Sequence, residues 1–452
     1  MKKVLSMILA MIMVVSMVGC SKKDNTDPVV TPDTTTVKED VKEDVKEDVV
    51  STDPEDNTLS VWCWDPNFNI AAMKEAEKVY KETNPNFVLE IIETPWDDVQ
   101  TKLTTASTSG QLDTLPDILL MQDNAFLKNL TNYPDSITDL TSSGIDFSQF
   151  APAKVGFSTL DGKNYGVPFD SGASILALRT DILEKAGLTI ADFTDITWDK
   201  FIELGQVVLD KTGVSMLSGV AGSVDLVTMM LLSAGSSLFN EDGTPNTTNN
   251  PALTEAMSVY ADMVDKGIFL QVNAWDEYIG TLSNSTVTGT INGCWILGSI
   301  QATPEQSGQW AVTDMPKLNV AGATNYSNNG GSSWLVTANC KNVDLAADFF
   351  AKTYGGSTAF YDTILPTSGA IGAYLPSASS PVYSNPLEFF GGQKVFADIT
   401  GFAAKIPDVY QGVYFWEARD AVSVAMTNVI GGADLTSELK SAEEAIAFSI
   451  SE

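Results

Sequence analysis

From residue 58 onward the chain alternates short apolar runs with segments whose apolar positions recur every three or four residues. Leu59-Ser60-Val61-Trp62-Cys63-Trp64 reads as a buried strand. Ile70, Met73, Ala76 and Val79 then share one face of a helix that stops before Asn84-Pro85. Residues 87–92 form a second strand, Pro95 opens a helix through Val99, Leu103 and Ala106, and Asp117–Met121 is a third strand. Strand, helix, strand, helix, strand at this spacing predicts a βαβαβ unit with a largely parallel sheet. Beyond the turn at Asp161-Gly162 the pattern becomes richer in helix, with helices expected over 180–186, 198–211, 226–234, 253–266, 344–354, 415–429 and 434–450. Extended segments are expected over 287–295 and 310–315. The fold class is therefore α/β, with two lobes and chain crossings between them.

Residues 1–57 follow other rules. Lys2 and Lys3 precede an apolar run from Val4 to Val18, too short to span a membrane and suited to a secretory signal over 1–19. Gly19-Cys20 resembles a bacterial lipobox, although Met17 and Val18 stand where Leu and a small residue are usual. The resemblance implies a lipidated Cys20; two acyl chains anchor stably where one does not. Residues 21–57 hold three tandem Val-Lys-Glu-Asp units and cannot bury a core. They read as a disordered acidic tether reaching roughly 35 Å.

Charge and composition remove whole classes of chemistry. Fifty-eight acidic side chains face 26 basic ones, a net charge of −32, which argues against binding nucleic acid. The chain has no histidine, so Ser-His-Asp and Cys-His catalysis and His-bearing metal sites are excluded. Cys63, Cys294 and Cys340 are too scattered for a disulfide framework and read as small buried hydrophobes. Asn240-Glu241-Asp242-Gly243 is a turn signal without calcium-loop spacing. No metal, no cofactor and no catalytic residue is expected.

The candidate chemistry lies at the carboxyl ends of the first strands. Trp62 and Trp64 share one face there with Cys63 opposite, Asp65 follows, Trp96 opens the second helix, and Gln122, Asp123 and Asn124 follow the third strand. Open α/β sheets present ligand groups at that rim. Indole faces stack on the C–H faces of a pyranose while carboxylates and amides take its hydroxyls, so the mixture points to an uncharged sugar.

Several stretches together carry a family resemblance: "LPDILLMQDNAF" (115–126), "DGKNYGVPFDSG" (161–172), "TWDKFIELG" (197–205), "GTINGCWILGSI" (289–300), "NNGGSSWLVTANCKNVDLAADFF" (328–350) and "FWEARDAV" (415–422). In order and spacing they resemble the carbohydrate-binding, extracellular solute-binding proteins of ABC importers, the group that includes the maltodextrin-binding protein. The resemblance implies a two-lobed fold: an N-lobe of 58–168 plus about 310–365, and a C-lobe of 169–309 plus about 366–452. It implies an oligosaccharide in the cleft, membrane permease subunits as partners, a monomer, and a place on the outer face of the cell membrane. Trp295 and Trp416 match stacking tryptophans, Asp123 the acidic hydroxyl acceptor, and Trp198 a structural position. Asp170, Trp275, Asn329 and Trp334 join the expected contacts, and Asp170 and Trp310 are placed near the hinge. Glu417 stands where the maltodextrin-binding protein has Tyr, which argues against an α-glucan. The tryptophans at 62, 64 and 96 are similar to those of clostridial binders of cello-, xylo- or arabino-oligosaccharides. A two-carboxylate glycoside hydrolase or lyase and a surface adhesin stay open as alternatives.

Overall fold

The computed structural model of the protein describes residues 57–451; the expected signal segment, Cys20 and the tether up to residue 56 lie outside the described residues. Twelve strands are present among these: β1 (Thr58–Cys63), β2 (Val88–Glu93), β3 (Ile118–Gln122), the hairpin β4 (Thr159–Leu160) and β5 (Lys163–Asn164), β6 (Gly166–Pro168), β7 (Ser174–Arg179), β8 (Leu217–Val220), β9 (Phe269–Val272), β10 (Gly289–Gly293), β11 (Trp310–Thr313) and β12 (Ser332–Val336).

Local chemistry explains the first helices. Residues Asn69–Lys81 bury Ile70, Met73, Ala76 and Tyr80 on one side. Pro95 caps the helix Trp96–Ser109, Asp97 and Asp98 sit in its first turn against the positive end of the helix dipole, and Gly110 ends it at φ 72°. The predicted βαβαβ unit is present: β1 lies between β2 and β3, parallel to both. The five-stranded sheet runs β2-β1-β3-β12-β6. Only β12 is reversed, since it is antiparallel to both β3 and β6.

The second sheet is β10-β7-β11, antiparallel throughout, and β8 and β9 form a separate parallel pair. Because β11 pairs with β7, the chain returns to the five-stranded sheet only at Ser332, later than the boundary near 310 expected from sequence. Trp310 is correspondingly no hinge residue. It is buried in the core beside the three-stranded sheet, and its indole N–H donates to Gln306 Oε1 at 2.8 Å.

Three segments cross between the sheets and lie side by side. Asp170 bridges to Gly372 and Ala173 to Asn328. Ser171 N–H donates to Ile371 O at 2.8 Å, and Asn329 N–H to Gly172 O at 2.7 Å. Asp170 is buried beneath them and accepts from the backbone N–H and the hydroxyl of Ser332 at 2.9 and 2.7 Å. Its neighbours are the half-buried Lys154 and the buried Asp123, which form an ion pair, with Ser333 Oγ donating to Asp123 Oδ1 at 3.0 Å. Gly331, at φ 108°, passes over this cluster so closely that a Cβ would stand 2.6 Å from Asp123 Oδ2 and 2.9 Å from Lys154 Nζ.

Candidate functional site

Two recesses adjoin, since Ser223 and Asp225 line one and Gly222 and Val224 the other. The first, a cavity of about 70 Å³, is lined by Trp275, Tyr278, Asn292, Asp225, Ser218 and apolar side chains of β8, β9 and the helix Asp225–Ser233. Trp275 opens the helix Trp275–Ser283 and Tyr278 follows three residues later, so both project from one face and their ring centroids lie 5.0 Å apart. Trp275 is 40% exposed, an unusual position for an indole unless something covers it. Trp295 buttresses it at 5.8 Å and spends its own N–H on Asn329 O at 2.9 Å. Gly293 permits this, because a Cβ there would collide with the Trp295 ring and with Asn329 O. Asn329 Nδ2 donates to Asn292 Oδ1 at 2.7 Å, and Asn292 Nδ2 to the Tyr278 hydroxyl at 3.1 Å. The amide–phenol chain thus fixes the wall behind the exposed indole.

The second recess, a cavity of about 340 Å³, is polar and is lined by Asp97, Lys128, Trp416, Glu417, Arg419 and Asp420 among others. A ladder of indoles runs beside it: Trp64 to Trp96 at 5.3 Å and Trp96 to Trp416 at 5.8 Å. The ladder joins separate bodies of core. Trp64, Trp96 and Trp416 pack against the apolar cluster under β1 and β3, whereas Ala418 and Val422 of the same helix, Phe415–Ile430, lie in the core of the helix-rich part. Lys128 pairs with Glu417 across this junction. Glu417 Oε2 and the indole N–H groups of Trp96 and Trp416 are buried with no protein partner. Leaving such groups unpaired costs about 1–3 kcal/mol each.

Electrostatics favours a neutral ligand. Asp97, Asp225, Glu417 and Asp420 outnumber Lys128 and Arg419, and both cations are already paired with carboxylates. Burial raises the Asp420 carboxyl above its usual range and lowers the Lys128 ammonium. An anionic sugar would therefore meet net negative charge.

The sequence-predicted residues divide. Trp64, Trp96, Trp275, Trp295, Asn329, Trp416 and Glu417 come together around the recesses, and Asp65, Gln122 and Asn124 are half-buried at the strand ends. Asp65 is engaged locally: its Oδ1 accepts from the N–H groups of Asn67 and Phe68, and burial raises its carboxyl. Trp62 turns into the core with Val99 and Leu103, its ring covered by Lys102 at 5.2 Å. Trp334, expected as a ligand contact, is instead a core residue: it is fully buried against Phe169 and Tyr354, because the interior strand β12 has core on both faces. Asp123 is likewise sealed, with both oxygens held by Lys154 and Ser333; burial pushes its carboxyl up to about 6. It and Asp170 serve the crossings rather than the recess.

Sequence reasoning missed Tyr278, Asn292, Asp225, Lys128 and Arg419. Arg419 and Tyr278 left a local signal, since each stands three residues after a tryptophan on one helix, Trp416 and Trp275 respectively. The three cysteines among the described residues, Cys63, Cys294 and Cys340, are free and buried. Burial pushes the Cys63 and Cys340 thiols up to about 12 and raises Cys294 further.

A family model described as bacterial extracellular solute-binding protein matches residues 75–390. The lactose-binding protein of Rhizobium radiobacter is 40% identical over 392 residues, which cover 87% of this chain and 93% of that protein. The arabinooligosaccharide-binding protein of Bacillus subtilis (strain 168) is 23% identical over 66% of this chain and 70% of its own length. Among solved structures, the ABC transporter associated binding protein of B. animalis subsp. lactis Bl-04 in complex with β-1,6-galactobiose superposes with a TM-score of 0.74. It is 21% identical and covers 86% of this chain and 96% of that one. The fold is that of the two-domain, periplasmic sugar-binding proteins.

Proposed function

The chain belongs to the bacterial extracellular solute-binding protein family, and we propose that it captures a short, uncharged oligosaccharide, with β-galactosides of the lactose type first in order, for the permease of an ABC importer. The observation that carries the reading is the pairing of an exposed indole, Trp275, with unpartnered buried N–H groups on Trp96 and Trp416 and carboxylates at Asp225 and Glu417. Aromatic faces take the C–H side of a pyranose, and the polar atoms take its edge. The site's residues come from both bodies of core. A sugar touching both favours the closed arrangement by the difference in its affinity for the two states, and the permease reads that arrangement. The lactose-binding relative supports the galactoside class; the arabinooligosaccharide-binding relatives keep pentose chains as the comparison arm, beside the cello- and xylo-oligosaccharides suggested by the tryptophans.

No chemical step belongs to this function. Histidine is lacking, the thiols are held protonated, and of the recess carboxylates Glu417 and Asp225 are committed to ion pairs. The same proposal includes acylation of Cys20, a tether over 21–57 and action as a monomer at the outer membrane face. The mass of the N-terminal peptide reads the anchor directly, and an unmodified Cys20 would remove it. Calorimetry with lactose and with arabino-, cello-, xylo- and malto-oligosaccharides tests the binding. We expect lactose to bind, and Trp275→Ala to weaken it at least tenfold with an unchanged melting temperature. Absence of heat with every sugar, or full affinity in Trp275→Ala, would refute the assignment.

A further inference from the structure

The two recesses meet at a single ion pair. Asp225 lines the first with Trp275 and Tyr278, and Arg419 lines the second with Trp416 and Glu417. Arg419 Nη2 lies 2.5 Å from Asp225 Oδ1 and 3.4 Å from Ser223 Oγ. Held in this way, the guanidinium covers one face of the Trp416 ring, with its carbon 4.5 Å from the ring centroid. Trp96 at 5.8 Å and Phe415 at 5.8 Å occupy other sides of the same ring.

The recesses therefore differ in what they offer. In the first, the Trp275 ring is open. In the second, Trp416 Nε1 and Glu417 Oε2 are buried and unpartnered, and one face of the Trp416 ring is covered by Arg419. A sugar confined to the first recess leaves the Asp225–Arg419 pair intact. A longer chain that stacks on the covered face of Trp416 must lift Arg419 from that ring and from Asp225 together.

We propose that Arg419, positioned by Asp225, is the specificity-determining residue that limits the length of oligosaccharide the site accepts. The inference rests on the oligosaccharide-binding reading above. Guanidinium planarity matters, because a lysine ammonium is a point charge and cannot cover the ring in the same way.

The test measures Kd by calorimetry for lactose and for β-galacto-oligosaccharides of two to five units. The proteins are the unaltered chain, Arg419→Ala, Arg419→Lys and Asp225→Asn. The readout is the ratio of pentasaccharide to disaccharide Kd within each protein, which cancels general losses of affinity. The unaltered chain is expected to prefer the short sugars. Arg419→Ala and Asp225→Asn are expected to lower the ratio at least tenfold, and Arg419→Lys to lower it less. If Arg419→Ala does not fold, Asp225→Asn decides. Ratios within threefold of the unaltered chain, or shifted toward short sugars, overturn the length filter while leaving sugar binding in place. Failure of the unaltered chain to bind any of these sugars strikes the underlying reading instead.

Discussion

Replacing Gly331 with Ala probes how tightly the crossings are packed. Two costs combine there. A φ of 108° lies outside what an L-residue adopts comfortably, and such strain costs about 1–3 kcal/mol. The new methyl would also stand 2.6 Å from Asp123 Oδ2 and 2.9 Å from Lys154 Nζ. Neither atom can retreat easily, because Asp123 is 4% exposed and tied to Ser333, and Lys154 faces the buried Asp170 as well. The expected total is about 3–4 kcal/mol. Gly110→Ala supplies the control: its φ is also positive, at 72°, but a Cβ there meets nothing within 4 Å, so it should cost only about 1 kcal/mol. At about 2.1 cal/mol/K per residue, a body of about 400 residues loses roughly 1 °C of melting temperature per 0.8 kcal/mol. Differential scanning calorimetry should therefore place Gly331→Ala about 4 °C below the unaltered protein and Gly110→Ala about 1 °C below. A Gly331→Ala midpoint within 1 °C of the control would show that the cluster yields, and the packing argument would fail.

Two further outcomes follow from the same geometry. With its carboxyl pushed up to about 6 by burial, Asp123 takes up a proton in the folded state before it does so unfolded, near 3.9. Its contribution to stability is thus present at low pH and lost as pH rises through about 6, worth on the order of 1 kcal/mol between pH 5 and 7. Thermal melts of Asp123→Asn should lack this component, and an identical pH slope in both proteins would contradict it. Trp334→Phe should cost about 1–2 kcal/mol as a core truncation and leave sugar affinity unchanged; a tenfold loss of affinity would return Trp334 to the site.

What could be read from the sequence was what is local. The helix Thr180–Ala186 falls on its expected bounds, and Trp198 opens its helix behind Thr197 and lies fully buried, because caps and 3.6-residue periodicity are set within a dozen residues. The insertion of β12 between β3 and β6 was not legible, since it joins residues more than 160 apart. That insertion is also why Trp334 was misplaced: an indole in a middle strand looks the same in sequence as one on a rim. The ion pairs Lys128–Glu417 and Arg419–Asp225 span 289 and 194 residues, and nothing in either segment marks its partner. Trp275 was among the expected contacts, yet its greater exposure relative to Trp295 depends on Asn329 and Gly293 holding Trp295 in place.

The three buried thiols have a practical consequence. At neutral pH a thiol reacts with maleimides through its thiolate, and Cys63, Cys294 and Cys340 have neither the thiolate nor the access. A cysteine introduced at Val424, 62% exposed on the helix that carries Trp416, would be the only reactive sulfur among the described residues. A single fluorophore attached there would make the protein a reagentless sugar sensor without first removing Cys63, Cys294 or Cys340.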